Sequence, residues 1–235
     1  MQLVYHIGYD ETFLLQVLSR MSGSAKNKQL FAVTYSHPKS VVWIYVGKVV
    51  RTQPPEKTYR EYFNKILKKM TPPIEANAIA VHLSVDKYIE DSTKSSARAN
   101  RGENESARSI ITGFGQLMPT IIDDWNNALS NSSTKKTLYA LFAKYLTCGM
   151  ATLLYPTTIN DEDQTLTVDP NTGIVSKDFE CNHEEADTRM IYHASLQRGK
   201  NAVLVLNDSD VMFLGIRACT LADDRHWYYN YTGTA

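Results

Sequence analysis

Two short runs, NAIAVHLSVD at 77–86 and NAVLVL at 201–206, are apolar at nearly every residue rather than at every second one. A strand carries apolar side chains on both faces only when both faces are covered, as in a parallel sheet with helices packed above and below it. The segments around these runs supply the helices. EKTYREYFNKILKKM places Tyr59, Phe63, Ile66 and Leu67 on one face and lysines on the other, and TPP stops it. DETFLLQVLSRM has the same spacing, broken by SGSAKNK. QLMPTIIDDWNNALSNSSTKKTLYALFAKYL predicts two helices separated by SNSS, with Ser133 or Thr134 as the N-cap of the second.

Further strands are expected at QLFAVTY and VVWIYVGKVV, which are rich in β-branched and aromatic residues, and at MATLLY. TLTVDPNTGIVS predicts a hairpin turning at DPNTG, GFGQ a turn, and HWYYNYTG an edge strand. The polar stretch 88–108 reads as a loop or a partly helical segment. EEADTRMIYHASLQRG, NAVLVL and DSDVMFLGIRA then read as helix, strand, and loop with helix. This alternation predicts an α/β fold with a central, mainly parallel sheet and right-handed crossovers.

At 235 residues, 43% of them hydrophobic, the chain is long enough for one sizeable core, so 1–235 is expected to be a single domain, with 110–147 as a candidate helical lobe. Lys and Arg together number 25, as do Asp and Glu, so no net charge advertises nucleic acid or membrane and any basic surface must be local. Cys148, Cys181 and Cys219 form no close pair, which argues against a disulfide framework or a zinc finger. Cys181 and His183 are half of a metal-ligand spacing with no second half. The opening residues lack a basic stretch ahead of an apolar one, and no apolar run approaches the roughly eighteen residues of a membrane span. An intracellular protein, nuclear or cytoplasmic, without a membrane partner is expected.

Acids concentrate in NHEEADTR at 182–189 and LNDSDVMFLG at 206–215. Asn182 followed by Glu185 has capping-box spacing, first-turn acids suit a helix dipole, and Asp208 is equally suited to an N-cap, so helix starts alone account for both stretches. Their positions in the fold offer a second account. Functional groups of an open α/β sheet gather at the carboxyl ends of its strands, and Asp86 and the Asp208/Asp210 pair each follow an apolar strand, while Glu185 and Asp187 open a helix that can reach the same rim. Several carboxylates gathered there would raise one another's pKa unless a cation neutralised them. Oxygen-only ligands favour Mg²⁺ or Mn²⁺, one or two ions of which are the usual machinery for phosphodiester hydrolysis. His82, inside an apolar strand, is expected to be a hydrogen-bonded core residue.

EADTRMIYHASLQRGKNAVLVLNDSDVMFLG resembles the internal region of the flap endonuclease and XPG-type structure-specific nucleases, in which a pair of glutamates opens a helix and a D-x-D follows the next strand. VHLSVDKYIEDSTKSSARANRG resembles that family's strand ending in a metal-binding Asp, followed by a Lys and an Arg seven residues apart. HEEADTR with DSDV and KSSAR is similar to divergent, uncharacterised animal and mobile-element-associated members. About a third of the chain carries the resemblance. It implies a PIN-like α/β domain and a metal-dependent nuclease acting on DNA ahead of RNA. Asp86, Glu185, Asp187, Asp208 and Asp210 would be the ligands of Mg²⁺ or Mn²⁺, and Lys94 and Arg101 the catalytic contacts to the scissile phosphate.

Two departures qualify it. The family's first strand ends in an Asp, where VVWIYVGKVV offers Tyr45 or Val46, and the family's later Asp and helix-hairpin-helix have no counterpart, as expected of a C-terminally truncated member. A catalytically inactive PIN-like module that binds nucleic acid or protein is therefore the alternative.

Overall fold

The computed structural model describes residues 3–7, 40–51, 56–72, 76–89, 92, 96, 111–119, 122–160, 164–177, 179–197, 199–206, 209–219 and 227–231. The helix expected at DETFLLQVLSRM and the strand expected at QLFAVTY lie outside these residues.

Among the described residues, eight strands form one mixed sheet. They are β1 (Leu3–Ile7), β2 (Val41–Val46), β3 (Ala78–Ser84), β4 (Thr157–Asn160), β5 (Thr165–Val168), β6 (Val175–Lys177), β7 (Asn201–Leu206) and β8 (Trp227–Tyr231), arranged in the order β1-β8-β7-β2-β3-β4-β5-β6. The run from β8 through β7, β2 and β3 to β4 is parallel, while β1 pairs antiparallel with β8 and β5 with both β4 and β6. From β2 the chain steps outward in one direction through β3 to β4, and from β7 in the other to β8. The carboxyl ends of β2 and β7 therefore flank the point where strand order reverses.

The helices are α1 (Tyr59–Met70), α2 (Ile122–Ser130), α3 (Ser132–Thr147), α4 (Ala186–Leu196) and α5 (Ser209–Cys219). Side-chain alternation on β2 explains how they divide. Val41, Trp43 and Tyr45 join a large core with α1, Trp125 of α2 and α3, while Val42 and Ile44 join Met190 and Ala194 of α4 and Val211 of α5 on the other face. Both faces of the central strands are thus buried, as the continuous apolar runs demand. α1 is started by a capping box, Thr58 Oγ1 accepting from Glu61 N–H at 3.4 Å and Glu61 Oε2 accepting from Thr58 N–H at 3.2 Å.

Several expectations are corrected. The N-cap of α3 is Asn131, whose side chain accepts from Thr134 N–H at 3.0 Å, and Ser133 and Thr134 lie inside the helix, because a cap must precede the first helical residue. MATLLY is not a strand. The strand is TTIN, whose polar side chains are buried by cross-strand and cross-element partners that an apolar search does not see. β8 is not an edge strand, since β1 covers one side of it and β7 the other. VVWIYVGKVV leaves the sheet after Val46 and continues as a 3-10 turn over Gly47–Arg51. The β5–β6 hairpin does turn at DPNTG: Asp169 Oδ1 accepts from Asn171 and Thr172 N–H, and Gly173 takes up a left-handed φ of 67°.

Candidate functional site

The chain runs from β6 into α4 and then back through β7, so α4 lies antiparallel to the parallel strands and its N-terminus stands at their carboxyl ends. α5 follows β7, so its N-terminus stands at the same rim, and the two helices pack against one another. Asp187 is in the first turn of α4 and Asp210 in the first turn of α5. Asp86 lies two residues beyond the end of β3. The fold therefore carries Asp86, Glu185, Asp187 and Asp210 to one edge of the sheet.

At that edge Asp86 Oδ1 accepts a hydrogen bond from Ala186 N–H at 3.1 Å. Ala186 is the first residue of α4, and Glu185, its N-cap residue, makes no side-chain capping bond. The capping box expected from Asn182 and Glu185 does not form. A carboxylate brought from β3 takes its place, satisfying an otherwise orphaned N–H with a charge that the helix dipole favours. Lys87 N–H donates to Glu184 O at 2.8 Å, and Ser92 Oγ donates to the Glu184 carboxylate at 2.9 Å, so the tail of β3 and the approach to α4 are stitched together.

Beneath this junction lies Arg189, only 2% exposed. Its Nε donates to His183 O at 2.6 Å and a terminal nitrogen reaches Val85 O at 3.5 Å. Burial pulls the guanidinium below its ordinary range, and the nearby Cys181 and Asp86 oppose that shift. Arg189 was not among the candidate residues. Its signal was positional: Ala186, Arg189, Met190, His193 and Ala194 recur at helical spacing on the buried face of α4, so one arginine and one histidine sit where apolar residues are expected.

Glu185 and Asp210 are exposed, while Asp86 and Asp187 are half-buried. Asp208, Lys94 and Arg101 lie outside the described residues. Among the described residues no three acids, histidines or cysteines stand close enough together to hold a metal ion, so those acids alone do not make a metal site. At the end of β2 no acid is present: Tyr45 is buried in the larger core, where desolvation pushes its phenol far up, and Val46 packs on the opposite face. Gly47 follows, where a Cβ would lie 3.3 Å from Val85 Cα and 3.1 Å from the Tyr139 hydroxyl, so a side chain there would oblige its neighbours to give by a few tenths of an ångström.

No family model, curated protein or solved structure matches the chain. Among the described residues no helix is long and apolar enough to cross a membrane.

Proposed function

We propose that the chain is a divergent PIN-like domain of the flap endonuclease and XPG type, a metal-dependent nuclease acting on DNA ahead of RNA. Asp86, Glu185, Asp187, Asp208 and Asp210 would form the ligand rim for Mg²⁺ or Mn²⁺, and Lys94 and Arg101 would contact the substrate phosphate. The observation that carries this reading is the hydrogen bond between Asp86 and Ala186, which joins the two sequence segments of the resemblance at the carboxyl edge of a parallel sheet. A carboxylate held by a backbone N–H is also compatible with ligation, because metal-binding carboxylates are themselves commonly hydrogen-bonded.

A second reading, a catalytically inactive module that binds nucleic acid or protein, is favoured by Tyr45 and Val46 at the tip of β2, where the family has an acid. Incubation with flap, single-stranded and duplex DNA and RNA in Mn²⁺ or Mg²⁺ tests both. Cleavage that is lost in Asp208→Asn supports the nuclease. Salt-dependent binding without cleavage selects the inactive module, and neither binding nor cleavage contradicts any nucleic-acid role.

A further inference from the structure

The face of the sheet beneath α4 holds two polar rows. Register places His82 of β3 beside Thr158 of β4 and Thr167 of β5, and Asn160 of β4 beside Thr165 of β5. His82, Thr158, Asn160 and Thr165 are all buried, and His193 of α4, fully buried as well, descends onto them. His82 Nδ1 and His193 Nδ1 lie 3.1 Å apart, and His193 Nε2 lies 3.2 Å from Asn160 Nδ2. Asn160 Nδ2 also donates to Thr165 Oγ1 at 2.8 Å, and Thr165 Oγ1 donates to Phe179 O at 3.2 Å.

With the Asn160 amide oriented in this way, these contacts favour one protonation pattern. The Asn160 amide nitrogen can only donate, so His193 Nε2 accepts. Neutral His193 then carries its proton on Nδ1 and donates to His82 Nδ1, leaving the His82 proton on Nε2. A proton added to His193 Nε2 would face the Asn160 amide donor, with only the Phe179 backbone in its favour, and one added to His82 Nδ1 would face the His193 N–H. Turning the Asn160 amide over would offer Oδ1 to His193, but Thr165 would then have to donate to Asn160 and abandon Phe179 O.

We propose that the His82 and His193 pair is a proton-sensitive latch, keeping α4 docked on the sheet, and with it the acidic N-terminus of that helix at the rim, only while both imidazoles are neutral. The surroundings agree. Desolvation is the largest influence on both rings, and the charges felt by the pair, Lys200 by His82 and Arg189 by His193, are positive and oppose a further proton, while the Phe179 backbone, hydrogen-bonded to His193, favours one and is outweighed. Phe179 packs with its ring centroid 5.0 Å from His82 and 5.6 Å from His193, and Tyr192 lies 6.3 Å from His193. Cys181 and Asp86 act on Arg189. Thr158, Asn160, Thr165 and Thr167, the facing residues of β4 and β5, carry no charge. The latch is independent of whether the rim binds metal.

The test is amide hydrogen exchange on the intact chain, as protection factors for α4 and α3 at about pH 7 and about pH 5, for wild type and for His82→Asn, which keeps an acceptor at the Nδ1 position but cannot titrate. In wild type the protection of α4 should fall at least about tenfold more than that of α3 on acidification, and this excess should shrink in the variant. Equal losses in α3 and α4, or equal acid sensitivity in wild type and variant, would overturn the latch. Nitrogen-15 spectra of the wild-type histidines at neutral pH stand apart from the variant's folding: protons on His193 Nδ1 and His82 Nε2 are expected, and a protonated His193 Nε2 contradicts the proposal.

Discussion

Asp86, at the tip of β3, caps α4 through Ala186, a hundred residues further along the chain, with its carboxylate oxygen 3.1 Å from the Ala186 nitrogen. The sequence places a potential cap nearby, at Asn182, yet the helix start is held by a residue from the sheet. Tertiary contact thereby ties the start of α4 to the tail of β3.

Asp86→Ala removes the acceptor and should destabilise the chain by about 1 kcal/mol, the usual magnitude for a lost cap. Asp86→Asn retains an oxygen at the same place and should lose less. Urea unfolding of the two variants beside wild type measures the difference, and equal losses would mean that charge, not the hydrogen bond, holds the helix start.

Arg189→Met should cost about 2–4 kcal/mol, because it removes the buried guanidinium that donates to His183 O and Val85 O. Arg189→Lys should recover only part of that loss, since an ammonium lacks the planar fork that reaches two carbonyls. Denaturant midpoints order the three proteins, and a lysine variant as stable as wild type would contradict this account.

Acid should weaken the fold in a defined window. Burial lowers His193 from its ordinary 6.5 to about 4 and lowers His82 in the same direction. As pH falls below 6.5 the unfolded chain takes up these protons before the folded chain does. Stability is therefore full above that value, declines through the interval down to about 4, and levels off beneath it as far as His193 is concerned, with a loss of roughly 3 kcal/mol from that residue. Thermal unfolding across the interval reads the decline, and His193→Gln should flatten it.

The parts of the fold that could be read in the sequence are those where burial follows a simple period. β3 and β7 are continuous apolar runs because both faces are covered, and α1 shows its stripe because one face meets the larger core. β4 was missed because Thr158 and Asn160 are buried against polar partners, so its composition resembles a loop while the apolar MATLLY beside it resembles a strand. His82 was legible as a satisfied core histidine, but its partner is 111 residues away, and no local pattern names it. At the rim, Asp86, Glu185, Asp187 and Asp210 were legible as acids at strand and helix ends. The Asp86 cap and the buried Arg189 beneath it depend on how α4 settles against β3, which only the folded arrangement supplies.

The most direct measurement is a calorimetric titration of the purified chain with Mn²⁺, beside the Asp208→Asn/Asp210→Asn double variant. Saturable binding in the wild type that disappears in the double variant is the predicted result, and it would make the acidic rim a metal site of the nuclease type. No binding in the wild type, or binding unchanged in the variant, would contradict that claim and leave the acids of NHEEADTR and LNDSDV as the starts of two helices.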